Sequence, residues 1–136
     1  MDFELALQSV VERSGSTLHI PMIDFETADE AQVRRFEPVL QSAFYCFATG
    51  RSFHGYFAEL LTTENWIDFL GAMLLINSPN SQPVVDSRWI GHALRRGYSA
   101  LRWTRHTNRY ETLPSLLFSK QPGSRNDPKP FQESLP

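Results

Sequence analysis

The stretch Arg88–Tyr110, RWIGHALRRGYSALRWTRHTNRY, holds six of the chain's thirteen basic residues and not one acid. The chemistry such a segment offers is anion binding. On a helix turning about 100° per residue, Arg88, His92, Arg95, Arg96, Arg102, Trp103, His106 and Arg109 fall on one side. Arg88, Arg95, Arg102 and Arg109 recur at heptad spacing. A straight helix drifts only about 20° per heptad, so they form one ridge, roughly 30 Å long. No carboxylate stands at i±4 to relieve their repulsion. Trp103 and Tyr110 flank the ridge, and arginine beside aromatic rings is the pairing that single strands use: charge for phosphate, rings for stacking. Eleven Arg against two Lys also suits bidentate phosphate contacts. The ridge therefore predicts a nucleic-acid partner, single-stranded ahead of duplex. A competing reading pairs the ridge with the chain's own acids, Glu26, Asp29 and Glu30 or Glu59, Glu64 and Asp68.

Other chemistry is sparse. None of His19, His54, His92 and His106 stands at metal-binding spacing from a cysteine, and there is no HExxH, CxxC, GxSxG, Walker A or GxGxxG pattern. The carboxylate pairs Asp24–Glu26 and Asp29–Glu30 read as the negative charge that helix starts prefer. His54, in RSFHGYF, reads as a structural residue at the start of a helix. Cys46 has no charged sequence neighbour to activate its thiol. The expectations are no catalytic residue, no metal, no cofactor and a non-enzymatic protein.

The elements positioning the ridge read as helical. Phe3, Leu7, Val10 and Val11 suit a first helix, ending before Gly15. Thr17–Phe25 reads as extended, because Pro21 forbids helix there. TADE (27–30) is a capping-box pattern, with Thr27 as N-cap. The helix it opens carries Val33, Phe36, Leu40, Phe44 and Phe47 on one stripe, kinked by Pro38 and stopped at Gly50. Further helices are expected from Ser52, from Thr63, from Asp86 or Ser87 through about Asn108, and over LPSLLF (113–118). NSPNSQP (77–83) is the one clear loop. The predicted fold is mainly α: a compact bundle of five to six helices, with little or no strand. Residues 1–118 form a single helical domain and residues 119–136 a polar, proline-rich tail.

The bulk numbers agree with one soluble-type domain. The chain has 136 residues, 41% hydrophobic and 12% aromatic, which suits a modest core. One cysteine excludes an internal disulfide, and Cys46 in AFYCFA is expected buried and reduced. The longest apolar run, Phe69–Ile76, is far short of a membrane span, and the N-terminus lacks a signal-peptide pattern, so a cytoplasmic location is expected. The net charge of −2 hides an acidic first half and a basic second half. Together these predict a non-catalytic helical subunit of a nucleoprotein complex, tracking a phosphate backbone and touching other protein subunits or its own copies. The alternative is a protein-interaction module, an adaptor, inhibitor or immunity-type protein, with Phe131 and Leu135 of the tail as anchors.

Overall fold

In the computed structural model, which describes residues 5–50, 52–103 and 114–122, the chain is built mostly of strands. Chain order is β1 (Ala6–Gln8), β2 (Val10–Arg13), β3 (Ser16–His19), β4 (Met22–Phe25), α1 (Glu30–Arg34), β5 (Phe44–Ala48), β6 (Phe53–Phe57), β7 (Leu61–Thr62), α2 (Thr63–Leu74), α3 (Ser87–Arg96), β8 (Ala100–Arg102) and β9 (Ser115–Lys120). The main sheet is antiparallel with order β4-β6-β5-β9. A second sheet joins β2-β3-β7, and β1 pairs with β8. The helical-bundle prediction is thus overturned.

The physical reason lies in the main sheet, which is covered on both faces. On one face Ile23 and Phe25, Phe53 and Phe57, Phe44 and Cys46 pack with Val33 of α1, Trp66, Phe69, Leu70 and Met73 of α2, and Ile90 and Ala93 of α3. On the other, Met22 and Tyr56 pack against Leu101 of β8, with Phe47 and Trp103 alongside. A strand apolar on both faces shows no alternation and resembles a buried helix in sequence. All five residues of β6 are buried. Gly55 lets β6 lie under the core, because a Cβ there would stand 2.6 Å from Phe44 Cε1.

Several boundaries expected from sequence are found, with new owners. The extended reading of Thr17–Phe25 holds as β3 and β4. The Thr27 helix lasts five residues, from Glu30 to Arg34, with Asp29 as its N-cap. The helix expected from Thr63 is α2, capped by the Thr62 side chain, which accepts from Asn65 N at 3.2 Å. Residues 6–8, 10–13, 44–48, 53–57 and 115–118, expected helical, are in strands. The long basic helix ends at Gly97, whose φ of 92° closes α3 in the left-handed region. Ser119 and Lys120, assigned to the tail, belong to β9; Phe131 and Leu135 lie outside the described residues. Cys46 is buried and free, and burial pushes its thiol up to about 12.

Candidate nucleotide site

Strand β4 carries two kinds of side chain. Ile23 and Phe25 point into the main core, and Asp24 alternates with them toward the opposite face, with Glu26 just past the strand's end. Register sets Asp24 opposite His54 of β6, and His54 opposite Phe47 of β5. Directly opposed residues of antiparallel strands share a face, so Asp24 and His54 meet. On its other edge β4 receives the segment 84–86. A bridge pairs Phe25 with Val85, Glu26 N donates to Val84 O at 2.8 Å, and Asp86 N donates to Asp24 O at 2.9 Å. That brings Asp86 beside Asp24.

The segment is held there by Asn77. Its Nδ2 donates to Val85 O at 2.9 Å, and its Oδ1 accepts from Val84 N at 2.8 Å and Val85 N at 2.9 Å. The turn-rich loop legible in sequence is therefore clamped at both ends. Asp86 is the N-cap of α3, and its Oδ1 accepts from Trp89 N at 3.0 Å. One carboxylate oxygen orients the helix while the residue keeps its place next to Asp24.

Above this face lies a solvent-connected cavity of about 220 Å³. Asp24 and His54 form one wall, Thr49 and Ser52 another, and Trp89, Ala100, Leu101 and Arg102 the rest. Thr49 and Ser52 close the β5–β6 turn: Thr49 N donates to Ser52 O at 2.9 Å, and Ser52 N donates to Thr49 Oγ1 at 3.2 Å. Gly50 makes that turn with a φ of 87°. Trp89 is fixed by its indole N–H, which donates to Ala100 O at 2.9 Å. Arg102 reaches Thr49 O at 3.4 Å, joining β8 to the turn across the cavity.

The electrostatics are unusual for two groups so close. Burial, followed by the charges of Asp86 and Glu26, raises the Asp24 carboxyl to about 7. Burial, followed by the nearby Arg102 guanidinium, lowers His54 to about 4. At neutral pH the histidine is uncharged and the aspartate half-ionised, the reverse of their ordinary order. His54 Nε2 lies 3.6 Å from Asp24 Oδ1, too far for a hydrogen bond. The His54 side chain is only 8% exposed, and its Nδ1 is buried with no hydrogen-bond partner. A buried nitrogen left without a partner costs free energy. A titratable pair pushed apart in this way marks a candidate functional site.

A family model for archaeo-eukaryotic primase 1D-like proteins (AEP-like) matches residues 1–115. The chain belongs to this primase-like family. No curated relative and no solved structure matches it. In this primase-like chain the residues singled out from sequence are dispersed. Arg88, His92, Arg95 and Arg96 lie on α3. Arg102 ends β8 and lines the cavity, and Trp103 packs edge-on against Phe47 and Tyr56. His106 and Arg109 lie outside the described residues. The continuous ridge over 88–109 is broken at Gly97, so Arg88 and Arg95 share a helix face and Arg102 does not.

Sequence reasoning passed over Asp24, Glu26, Ser52, His54 and Asp86 as site residues. One signal for them was present. Asp24 and Glu26 are spaced two apart in MIDFE, a stretch already read as extended, and i, i+2 carboxylates on a strand share a face. Read as a helix start, they lost that meaning. Among the described residues no helix is long and apolar enough to cross a membrane.

Proposed function

We infer that the cavity binds the phosphates of a nucleoside triphosphate together with a divalent cation, and that the protein is a nucleotidyl-transfer enzyme acting on a nucleic-acid strand. The observation that carries this is the meeting of Asp24, His54 and Arg102 on the walls of one cavity, with Asp86 held beside Asp24 at its back. Membership of a family described as primase-like supports the same chemistry.

The fit to a cation rests on the donor set. Among the described residues, no three His, Cys, Asp or Glu side chains stand close enough together to cage a metal ion. Magnesium needs no all-protein cage: it is held by one or two carboxylates and completed by substrate phosphates. Asp24 and Asp86 are the two carboxylates, and Glu26 lies just past the end of β4. A cation there would offset the burial, and the lesser repulsion from Asp86 and Glu26, that raise the Asp24 carboxyl. When bound, such an ion neutralises phosphate charge and polarises the reacting phosphoryl group.

The chain's own residues supply the rest. Arg102 offers a fork of donors to phosphate oxygens. Neutral His54 carries one N–H donor and one lone pair, and can meet a phosphate or hydroxyl without adding charge. The Thr49–Ser52 turn shapes one rim, and Trp89, locked by its indole hydrogen bond, gives a rigid wall. In nucleotidyl transfer a strand hydroxyl gives up its proton to solvent and forms a bond to the α-phosphorus, the bond from that phosphorus to the bridging β-phosphate oxygen breaks, and pyrophosphate leaves with that electron pair.

The test is calorimetric titration of ATP and GTP into the protein with and without magnesium or manganese, followed by incorporation of labelled nucleotide on a single-stranded template. The expected result is metal-dependent triphosphate binding that falls at least tenfold in Asp24→Ala and in His54→Ala. Binding unaffected by both substitutions would sink the assignment. A second reading, a non-catalytic nucleic-acid-binding protein, is favoured by the exposed arginines of α3. It predicts strand binding with no triphosphate binding and no incorporation.

A further inference from the structure

Helix α3 begins at the cavity and leads away from it. Asp86 caps its start, and Trp89, one turn in, lines the cavity wall. Ile90 and Ala93 are its buried residues, and they hold it on the core. At about 100° per residue, Arg88, His92 and Arg95 then fall within one narrow outward arc, with Gly91 at its edge. All four are exposed. A Cβ added at Gly91 would meet nothing within 4 Å, so the helix surface there is low and open. Arg96, next to the arc, is steadied over the Tyr98 ring at 4.8 Å while its Nε donates to Tyr98 O at 3.1 Å.

Nothing in the described residues neutralises this face. The ion pair of helix α1 joins Glu30 to Arg34, and the other close pair joins His54 to Asp24. Glu64 and Asp68 of the neighbouring α2 are exposed and form no ion pair with α3. Of the acids that could have covered these arginines, Glu30 pairs with Arg34 and Asp29 caps α1. A ten-residue helix with an unrelieved basic face, rooted at the rim of a phosphate cavity, has the charge of a strand-binding surface.

We propose that the Arg88–His92–Arg95 face of α3 binds the phosphate backbone of a nucleic-acid single strand and leads it toward the cavity. The rise from Arg88 to Arg95 is about 10 Å, roughly three 3.4 Å steps of a strand. Gly91 lets the backbone approach between the two guanidinium groups. The contacts read charge and not sequence, since no base-reading group accompanies them. What the strand is delivered for rests on the cavity being a nucleotide site; the binding itself does not.

The test is fluorescence polarisation of 5′-fluorescein-labelled (dT)20 against the full chain at 50 and 200 mM NaCl. With two arginine–phosphate contacts, affinity should fall about sevenfold between those salts. Arg88→Glu/Arg95→Glu should weaken binding at least tenfold at 50 mM and flatten the salt dependence. The milder Arg88→Ala/Arg95→Ala serves if charge reversal perturbs folding by circular dichroism. Unchanged affinity in a folded double variant overturns the proposal, as does failure of the unsubstituted chain to bind (dT)20 at 50 mM. Titrating Mg–ATP into the same double variant separates the two readings. Triphosphate binding should survive there, and its absence in the unsubstituted chain would sink the nucleotide site without touching the strand result.

Discussion

The two faces of the main sheet are built from the same strands and answer to opposite rules. On the face under α1, α2 and α3, Ile23, Phe25, Phe44, Phe53 and Phe57 are buried in a continuous apolar core. On the opposite face, one residue along each strand, Asp24 and His54 stand together beside Asp86 and Arg102. The first face lowers free energy by removing apolar surface from water. The second raises it, by burying a carboxylate among like charges and leaving a histidine nitrogen unpaired. A sheet that is stabilised on one side and carries buried, poorly satisfied polar groups on the other is arranged as binding sites are arranged, with strained side chains on a rigid support.

The contrast is sharpest at Gly55, which lies next to His54 on β6 and points into the core. Its missing Cβ makes room for Phe44, and Phe25 stands 3.3 Å from the same position. Gly55→Ala should destabilise the protein by about 2–3 kcal/mol through overpacking, seen as a lower urea midpoint. Phe44 is fully buried, so its ring has no empty space to retreat into. A neutral result would mean that the apolar face is not close-packed and that the contrast between the faces is weaker than described.

Substitution at Asp24 should have the opposite sign. A carboxyl raised from 3.8 to about 7 on folding binds more protons folded than unfolded between those values. Its contribution is fully present below the unfolded pKa and is lost as pH climbs through 7. Asp24→Asn removes the titration, so the variant should gain on the parent as pH rises from about 4 to 7 and stay ahead at pH 8. His54, lowered to about 4, tilts the parent the other way: stability rises with pH between about 4 and 6.5. Urea unfolding of both proteins at pH 5 and pH 8 checks the sign. The more stable variant should also lose metal-dependent triphosphate binding. Equal stability at both pH values would show that Asp24 is not strained.

How much of this was legible in the sequence follows from the same two faces. Where a segment is apolar on both sides, as in AFYCFA and FHGYF, the period of two that marks a strand is hidden, and helical spacings appear by chance. Where a local signal acts on one residue it survived. Pro21 kept Thr17–Phe25 extended, the NSPNSQP loop lies where expected, and the helices starting near Thr63 and Ser87 are α2 and α3. Gly97, in RRGYS, carried the stop that the heptad of arginines obscured. The basic residues were found because charge patterns need no fold to be seen. The acidic ones were not, since Asp24 and Asp86 lie far apart in sequence and meet only through the Phe25–Val85 bridge. His54 likewise gains meaning only from its register with Asp24.

The smallest effect expected concerns Trp89, which among the described residues packs against both apolar clusters and also lines the cavity. Its indole N–H donates to Ala100 O at 2.9 Å and so ties α3 to β8, the strand that carries Arg102. Trp89→Phe keeps most of the apolar contact and deletes the donor. Stability should fall by ~1 kcal/mol, the usual net worth of one such bond plus the stranded carbonyl. The informative readout is the ratio of two losses. If Trp89 only packs, triphosphate binding should fall no more than stability does. If it also positions Arg102 by holding β8 against the Thr49 turn, triphosphate affinity should fall several-fold more than stability alone explains. Strand binding through Arg88 and Arg95 should then be unchanged, because α3 stays seated on Ile90 and Ala93.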